Sequence, residues 1–334
     1  MKVLLYTKNQ KLIDKSGVGK AIEHQKKALD SLGIKYTTDS NDDFDIVQIN
    51  TVFPESLYTS LKSKKRKIPV VYYAHSTEED FKESFVGSNL LAPIFKAWIS
   101  LCYNSGDVII TPTEYSKKLL KSYKNIKKPI ISLSNGIDVE FYEHDKENKR
   151  RFREKYGISP DAKVVMSAGH YIERKGIIEF VELAKELPQY EFYWFGYTSP
   201  AIVTKEVKAA LETELPNLHF PGYVNKEELR DAYAGSDLFL FLTHEETEGI
   251  VLLEALASKT PILVRDIPVF ENWLKNGVNS YKAKALEEFK NKIELIIEGK
   301  LPNLTEKGYE LALTRDLKNI AKELKKIYDF KKLA

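Results

Sequence analysis

The stretch LFLFLTHEETEGIVLLEALASKTPILVRD, Leu238 to Asp266, sets two apolar runs on either side of a third. LFLFLT and PILVRD have the length and composition of strands buried on both faces, and GIVLLEALAS between them reads as a buried helix. Strand, helix and strand in that order form a right-handed crossover between parallel strands. Two carboxylates disturb this simple pattern. Glu246 stands just before the helix, and Glu254 lies inside it among Leu252, Leu253, Ala255 and Leu256. A carboxylate taken out of water is costly unless it is paired or hydrogen-bonded. Thr243 and Glu246 have the spacing of a capping box, and negative charge near a helix N-terminus is favourable. Capping gives no reason for Glu254.

The same alternation runs through the whole chain. KVLLYT, DIVQIN, KIPVVYYAH, DVIITPT and PIISLS are strand candidates in the first half, with helical patterns such as GKAIEHQKKALDSLG and EYSKKLLKSY between them. KVVMSAG, YEFYWFG and NLHFPG precede the opening stretch in the second half. The fold class is therefore α/β, with two Rossmann-like doubly wound parallel-sheet domains facing across a cleft. The expected domains are residues 1–140 and 141–312, with a C-terminal helix over 313–334 packing back towards the first domain. The seam is NGIDVEFYEHDKENKR, and TRDLKNIAKELKKIYDF is amphipathic, with basic residues on its solvent face.

Bulk properties exclude several classes. At 334 residues, 43% hydrophobic and 30% charged, the chain has material for two ordinary cores and is not a disordered polymer. One cysteine, Cys102, rules out an internal disulfide framework and fits a reducing cytoplasm. No apolar run approaches the ~20 residues of a spanning helix, and the short run in MKVLLYTKNQ does not make a signal peptide. The net charge of +3 is uneven, with 21 Lys and Arg against 16 Asp and Glu up to Glu140. A basic first half points to an anionic partner or simply to a solvated surface.

Ligands of open α/β sheets sit beyond the carboxyl ends of strands, so the residues ending each strand come next. Gly17 and Gly19 of SGVG open a helix after the first strand, where glycine lets backbone N–H groups approach a phosphate or sugar, or only loosens a loop. His75 ends the third strand and serves either to hydrogen-bond a substrate hydroxyl or developing charge, or as a cap. Arg174 and Lys175 in SAGHYIERKGIIEF precede a glycine and a helix start, a setting that suits a diphosphate. The N–H groups near Thr247, Glu248 and Gly249 add a second such cradle, between two carboxylates able to accept sugar hydroxyls. The pair Glu246 and Glu254 thus reads as bracketing a nucleotide-sugar.

At these residues the chain resembles the retaining glycosyltransferases of family four, which have the GT-B fold. The resemblance rests on two glutamates separated by seven residues in ETEGIVLLE, on SNGIDVEFY, on Lys175–Gly176 and on PGYVNKEELRDAYAGSDLFLF. It implies that Glu246 binds the donor sugar, Glu254 the ribose hydroxyls, Thr247 to Ile250 the sugar and diphosphate, and Lys175 a phosphate. Where the family has Arg after the strand-ending glycine this chain has His170, which leaves His170 or Arg174 for that position. DFD, Asp43 to Asp45, precedes a strand, so no essential metal and no cofactor beyond the UDP-sugar substrate are expected. The segments HEETEGIVLLEALASKTPILVRDIPVF, KSGVGKAIEHQ and GHYIERKGI resemble the bacterial glycolipid branch, makers of diglycosyl-diacylglycerols.

Two segments bear on a membrane acceptor. SNLLAPIFKAWISLCY carries Leu90, Leu91, Ile94, Phe95, Trp98, Ile99 and Leu101, and LKSKKRKIP carries Lys62, Lys64, Lys65, Arg66 and Lys67. Aromatic and apolar surface beside a polybasic patch grips anionic lipid, although a core helix and a solvated helix end have the same composition. The expectation is a cytoplasmic hexosyltransferase, peripheral on the inner face of the membrane. It transfers a hexose, glucose foremost with galactose and N-acetylglucosamine left open, from a UDP-sugar to a glycolipid such as monoglucosyl-diacylglycerol, with His75 and Glu246 at the reaction centre and no nucleic acid as partner. The alternatives are a same-fold enzyme with a soluble or polysaccharide acceptor, a nucleotide-sugar epimerase, and a membrane-binding protein without catalysis.

Overall fold

The strand candidates all form, and the connections between them set two parallel sheets. A computed structural model describes residues 1–8, 13, 16–143 and 145–329; Asn9, Gln10, Lys15, His144 and Phe330 of the segments quoted above, and residues 331–334 of the expected C-terminal helix, lie outside the described residues. The first sheet contains β1 (Lys2–Tyr6), β2 (Lys35–Thr37), β3 (Ile46–Ile49), β4 (Val70–Tyr73), β5 (Val108–Thr111) and β6 (Ile130–Ser132) in the order β2-β1-β3-β4-β5-β6. The second contains β7 (Val164–Ala168), β8 (Glu191–Phe195), β9 (Leu218–Gly222), β10 (Leu238–Phe241), β11 (Ile262–Arg265) and β12 (Tyr281–Ala283) in the order β12-β11-β10-β7-β8-β9. Every pairing is parallel, with Leu4 beside Val47 and Phe239 beside Met166. The edge strands β2 and β12 were not expected; at three residues each they are too short to show a period.

Two compact units result. One comprises Met1–Phe81, Asn89–Gly136 and the chain from Arg315; the other comprises Lys82–Ser88 and Ile137–Thr314. In the first unit, strand alternation sends Leu4, Val47, Val70 and Tyr72 into one core, and Val3, Ile46, Val71 and Tyr73 into another on the opposite face. The helix Leu317–Tyr328 closes that second face with Ile320, Leu324, Ile327 and Tyr328. The segment Lys82–Ser88 joins the second unit through bonds of 3.4 Å from the Val86 N–H to the Ile202 carbonyl and from the Arg174 N–H to the Glu83 carbonyl.

In each sheet the strand order reverses once, between β1 and β3 and between β7 and β10. Such a reversal opens a crevice at the carboxyl ends of the two strands. In the second unit the loops leaving it carry Arg174 and Lys175 after β7, and Glu246 after β10.

Candidate active site

The β7 loop ends in a helical turn, Glu173–Lys175, and then Gly176 at φ +83°. A side chain at Gly176 would be strained, and its Cβ would lie 2.5 Å from the Leu242 Cβ. Glycine therefore lets the β7 loop press against the end of β10. The approach brings Lys175 Nζ into an ion pair with Glu246 Oε2, over the Phe241 ring at 5.6 Å. The Arg174 guanidinium donates to the Glu245 carbonyl at 2.5 Å and to Ser84 Oγ at 3.4 Å, while the Arg174 carbonyl accepts from the His244 N–H at 2.8 Å.

Glu246 is 8% exposed. Burial alone pushes its carboxyl up. The charges of Lys175 and Arg174, the bond from Lys175 and the Thr247 N–H at 3.2 Å outweigh that and hold it below the usual carboxylate range. The capping-box reading of Glu246 fails. The Thr243 hydroxyl donates to the Glu245 carbonyl at 2.8 Å, and the N-cap of the Ile250–Ala257 helix is Gly249, at φ +83°. Ile250 and Val251 occupy the first turn, where N–H groups have no intrahelical carbonyl to reach. Arg174, Lys175, Glu246, Thr247, Glu248, Gly249 and Ile250 thus share one end of the second sheet.

Glu254 is 1% exposed and has protein partners that the sequence reading missed. Its Oε1 accepts from the Tyr142 hydroxyl at 2.7 Å and its Oε2 from the Tyr233 hydroxyl at 2.9 Å. Burial and the adjoining Glu254 charge push Tyr233 well above the ordinary phenol value, so it stays a donor. Tyr142 lies in the segment SNGIDVEFY, which marked it without assigning it a role. His170, half-buried, spends Nδ1 on the Tyr197 carbonyl at 2.8 Å.

In the first unit, Ser16 caps the helix Gly17–Ser31 and accepts the Gly19 N–H at 3.4 Å. Gly17 has open space where a Cβ would stand, so its glycine answers no packing demand there. His75 follows β4, its ring stacked on Tyr73 at 5.5 Å and its Nε2 3.0 Å from Asn50 Oδ1. Burial pushes its pKa down to about 4, so it is a neutral hydrogen-bonding group near pH 7 and not a cation for a developing charge.

The proposed membrane residues divide. Phe95 stacks on Phe81 at 4.0 Å, and Trp98 donates to the Val52 carbonyl at 2.7 Å, both packed against a core of the first unit. They are corrected from surface to core-facing residues, because the helix Ser88–Asn104 turns its aromatic side to the sheet. Its open side carries Leu90, Leu91, Ile94 and Leu101, with Leu90 83% and Ile94 69% exposed. On the Pro54–Lys65 helix, Lys64 pairs with Asp107 at 3.5 Å while Lys62 and Lys65 are exposed beside Tyr58 and Leu61. Arg66 lies over the Phe44 ring at 5.6 Å, and Lys67 is exposed at φ 59°. Among the described residues no helix is long and apolar enough to cross a membrane, and no three acidic, His or Cys side chains group to hold a metal ion.

Two parallel sheets, with the buried Lys175–Glu246 pair at the strand-order reversal of the second, give the setting in which open α/β proteins bind their ligands. The profile described as "Glycosyltransferase Family 4" matches residues 23–141, and "Glycosyl transferases group 1" matches residues 148–312. The chain is 40% identical over 328 residues, 98% of both chains, to a processive diacylglycerol alpha-glucosyltransferase of Acholeplasma laidlawii. It is 30% identical to an alpha-galactosylglucosyldiacylglycerol synthase of Streptococcus pneumoniae, over 85% of this chain and 73% of that one. Among solved structures, HepE of Anabaena in complex with UDP-glucose shares the fold, with a TM-score of 0.77 at 17% identity, covering 98% of this chain and 99% of that one. The chain belongs to glycosyltransferase family 4, with the GT-B fold.

Proposed function

We propose that the protein transfers glucose from UDP-glucose to a diacylglycerol-type glycolipid such as monoglucosyl-diacylglycerol, with retention of configuration, while seated on an anionic membrane surface. The carrying observation is the buried cluster of Lys175, Arg174 and ionised Glu246 beside the first turn of the Ile250–Ala257 helix. The 40% identity to a diacylglycerol glucosyltransferase along nearly the whole chain supports the choice of acceptor and of glucose.

In this reading Glu246 accepts hydrogen bonds from the donor sugar. Lys175, Arg174 and the N–H groups of the helix start meet charge developing on the departing diphosphate. The bond from the anomeric carbon to phosphate oxygen breaks as the bond to the acceptor oxygen forms on the same face. The acceptor proton passes to an oxygen of the departing UDP. Glu254, held by the Tyr142 and Tyr233 hydroxyls, accepts a ribose hydroxyl of the donor. His75, neutral, meets a substrate hydroxyl. Leu90, Leu91, Ile94 and Leu101 enter the lipid surface, with Lys62 and Lys65 on anionic headgroups.

The test is a product assay with labelled UDP-glucose and vesicles of monoglucosyl-diacylglycerol, with and without anionic lipid. A labelled diglucosyl lipid, lost in Glu246→Ala, is the expected result. Transfer to soluble sugars alone would overturn the acceptor, and transfer from UDP-galactose alone would overturn the donor.

A further inference from the structure

A row of buried polar side chains crosses the first unit, in a setting otherwise filled by Val, Ile, Leu and Tyr. The Tyr328 hydroxyl bonds Gln48 Oε1, and Gln48 Nε2 donates to Gln25 Oε1 at 2.7 Å. Gln25 Nε2 donates to Asn50 Oδ1 at 2.7 Å, and the same Oδ1 lies 3.0 Å from His75 Nε2. The row joins the helix Leu317–Tyr328, β3, the helix Gly17–Ser31, the loop after β3 and the end of β4. All five side chains are buried. Three amides in a core are expensive unless each finds its partners.

Each amide has a donor end and an acceptor end, so the row runs in one of two senses. In one, the phenol donates and each amide passes a donor onward, until Asn50 Oδ1 receives both Gln25 Nε2 and the Nε2–H of His75. In the other, all three amides are turned: Asn50 donates to a bare His75 Nε2, and Gln48 donates to the phenol oxygen. The phenol hydrogen then loses its acceptor. Burial pushes Tyr328 well above the ordinary phenol value, so that hydrogen is always there to be placed. The first sense leaves a single group without a partner, Asn50 Nδ2. The second strands both Asn50 Oδ1 and the phenol hydrogen. The phenol therefore sets the direction.

We propose that Tyr328 is a positioning residue for His75: through Gln48, Gln25 and Asn50 it holds the ring in the tautomer with Nε2 protonated and Nδ1 free to accept. His75 then takes a hydrogen bond from a substrate hydroxyl at Nδ1 and does not donate one there. The substrate half of this statement rests on the function proposed above; the tautomer does not.

The experiment records long-range proton–nitrogen correlation spectra of the ligand-free protein, labelled at histidine nitrogen, at pH 8, with His75 assigned by its loss in His75→Gln. The wild type is expected to show only the Nε2-protonated form. Tyr328→Phe keeps the ring and removes the hydrogen, leaving one orphan at each end in either sense, so the Nδ1-protonated form appears beside the first. Adding Asn50→Asp to Tyr328→Phe restores the single form, because a carboxylate only accepts. Activity of Tyr328→Phe falls in proportion to the lost Nε2-protonated fraction. A wild type protonated at Nδ1, or a Tyr328→Phe spectrum unchanged from wild type, overturns the proposal. If instead the tautomers behave as stated but His75→Gln retains full activity, the tautomer control stands and the substrate role of His75 falls.

Discussion

Lys175→Met removes the cation that pairs with Glu246 while keeping most of the side-chain volume. The pair is buried, with Lys175 at 14% and Glu246 at 10% side-chain exposure, so the lost partner is not replaced by water. Removing one member of a buried ion pair costs about 3–5 kcal/mol. Arg174 and the Thr247 N–H still serve Glu246, which brings the expected loss to about 2–3 kcal/mol. For a unit of this size that is a fall in Tm of about 5–10 °C. The pH dependence carries the sign. In the wild type the Glu246 pKa is lowered, so its contribution is present at neutral pH and lost as pH falls through that low value. Without Lys175 burial dominates and the pKa moves up, so the variant suffers most at high pH and recovers as its carboxyl takes a proton. Calorimetry of both proteins should therefore show a wider Tm gap at pH 8 than at pH 5. An equal gap at both pH values, or one under about 1 °C, would refute the picture of a desolvated pair.

Tyr233→Phe takes one of two phenols from the buried Glu254 charge and should cost about 1.5–3 kcal/mol; chemical denaturation measures it, and a Glu254→Gln background should shrink it. His75 has a pKa lowered to about 4, below its unfolded value. Its stabilising contribution is thus full above pH ~6.5 and lost on acidification towards the folded value, up to about 3 kcal/mol. His75→Gln should accordingly flatten the stability of the first unit across that window in a denaturant series run by pH. Leu90→Glu with Ile94→Glu should weaken binding to anionic vesicles at least about tenfold, at roughly 1.5 kcal/mol or more per buried side chain; vesicle sedimentation reads it, and unchanged binding would remove that face from the membrane.

Much of the fold was legible because buried parallel strands are continuous apolar runs, and β1, β4, β5, β8, β10 and β11 announce themselves that way. β2 and β12 are three-residue edges with no room for a pattern. Lys175 and Glu246 were found as strand-end residues, but their ion pair was not, since its halves stand 71 positions apart, beyond any local signal. Capping spacing at Thr243 pointed the wrong way because a glycine at positive φ, two residues past Thr247, begins the helix instead. Glu254 raised the right question, and Tyr142 and Tyr233 answer it from distant segments. Gln48 gave the clearest overlooked hint: an amide in the middle of DIVQIN has no place in a buried strand unless something meets it. Phe95 and Trp98 were misread because composition alone does not say which side of a helix faces the sheet.

The helix Leu317–Tyr328 has a bearing on synthesis. It covers the core face of the first sheet formed by Val3, Ile46, Val71 and Tyr73, yet more than 170 residues of the second unit are translated before it. On the ribosome the second unit can complete its core while the first still lacks one wall. Maturation of the N-terminal half is therefore the last event, and truncations that stop before residue 317 should leave a folded second unit attached to an aggregation-prone partner.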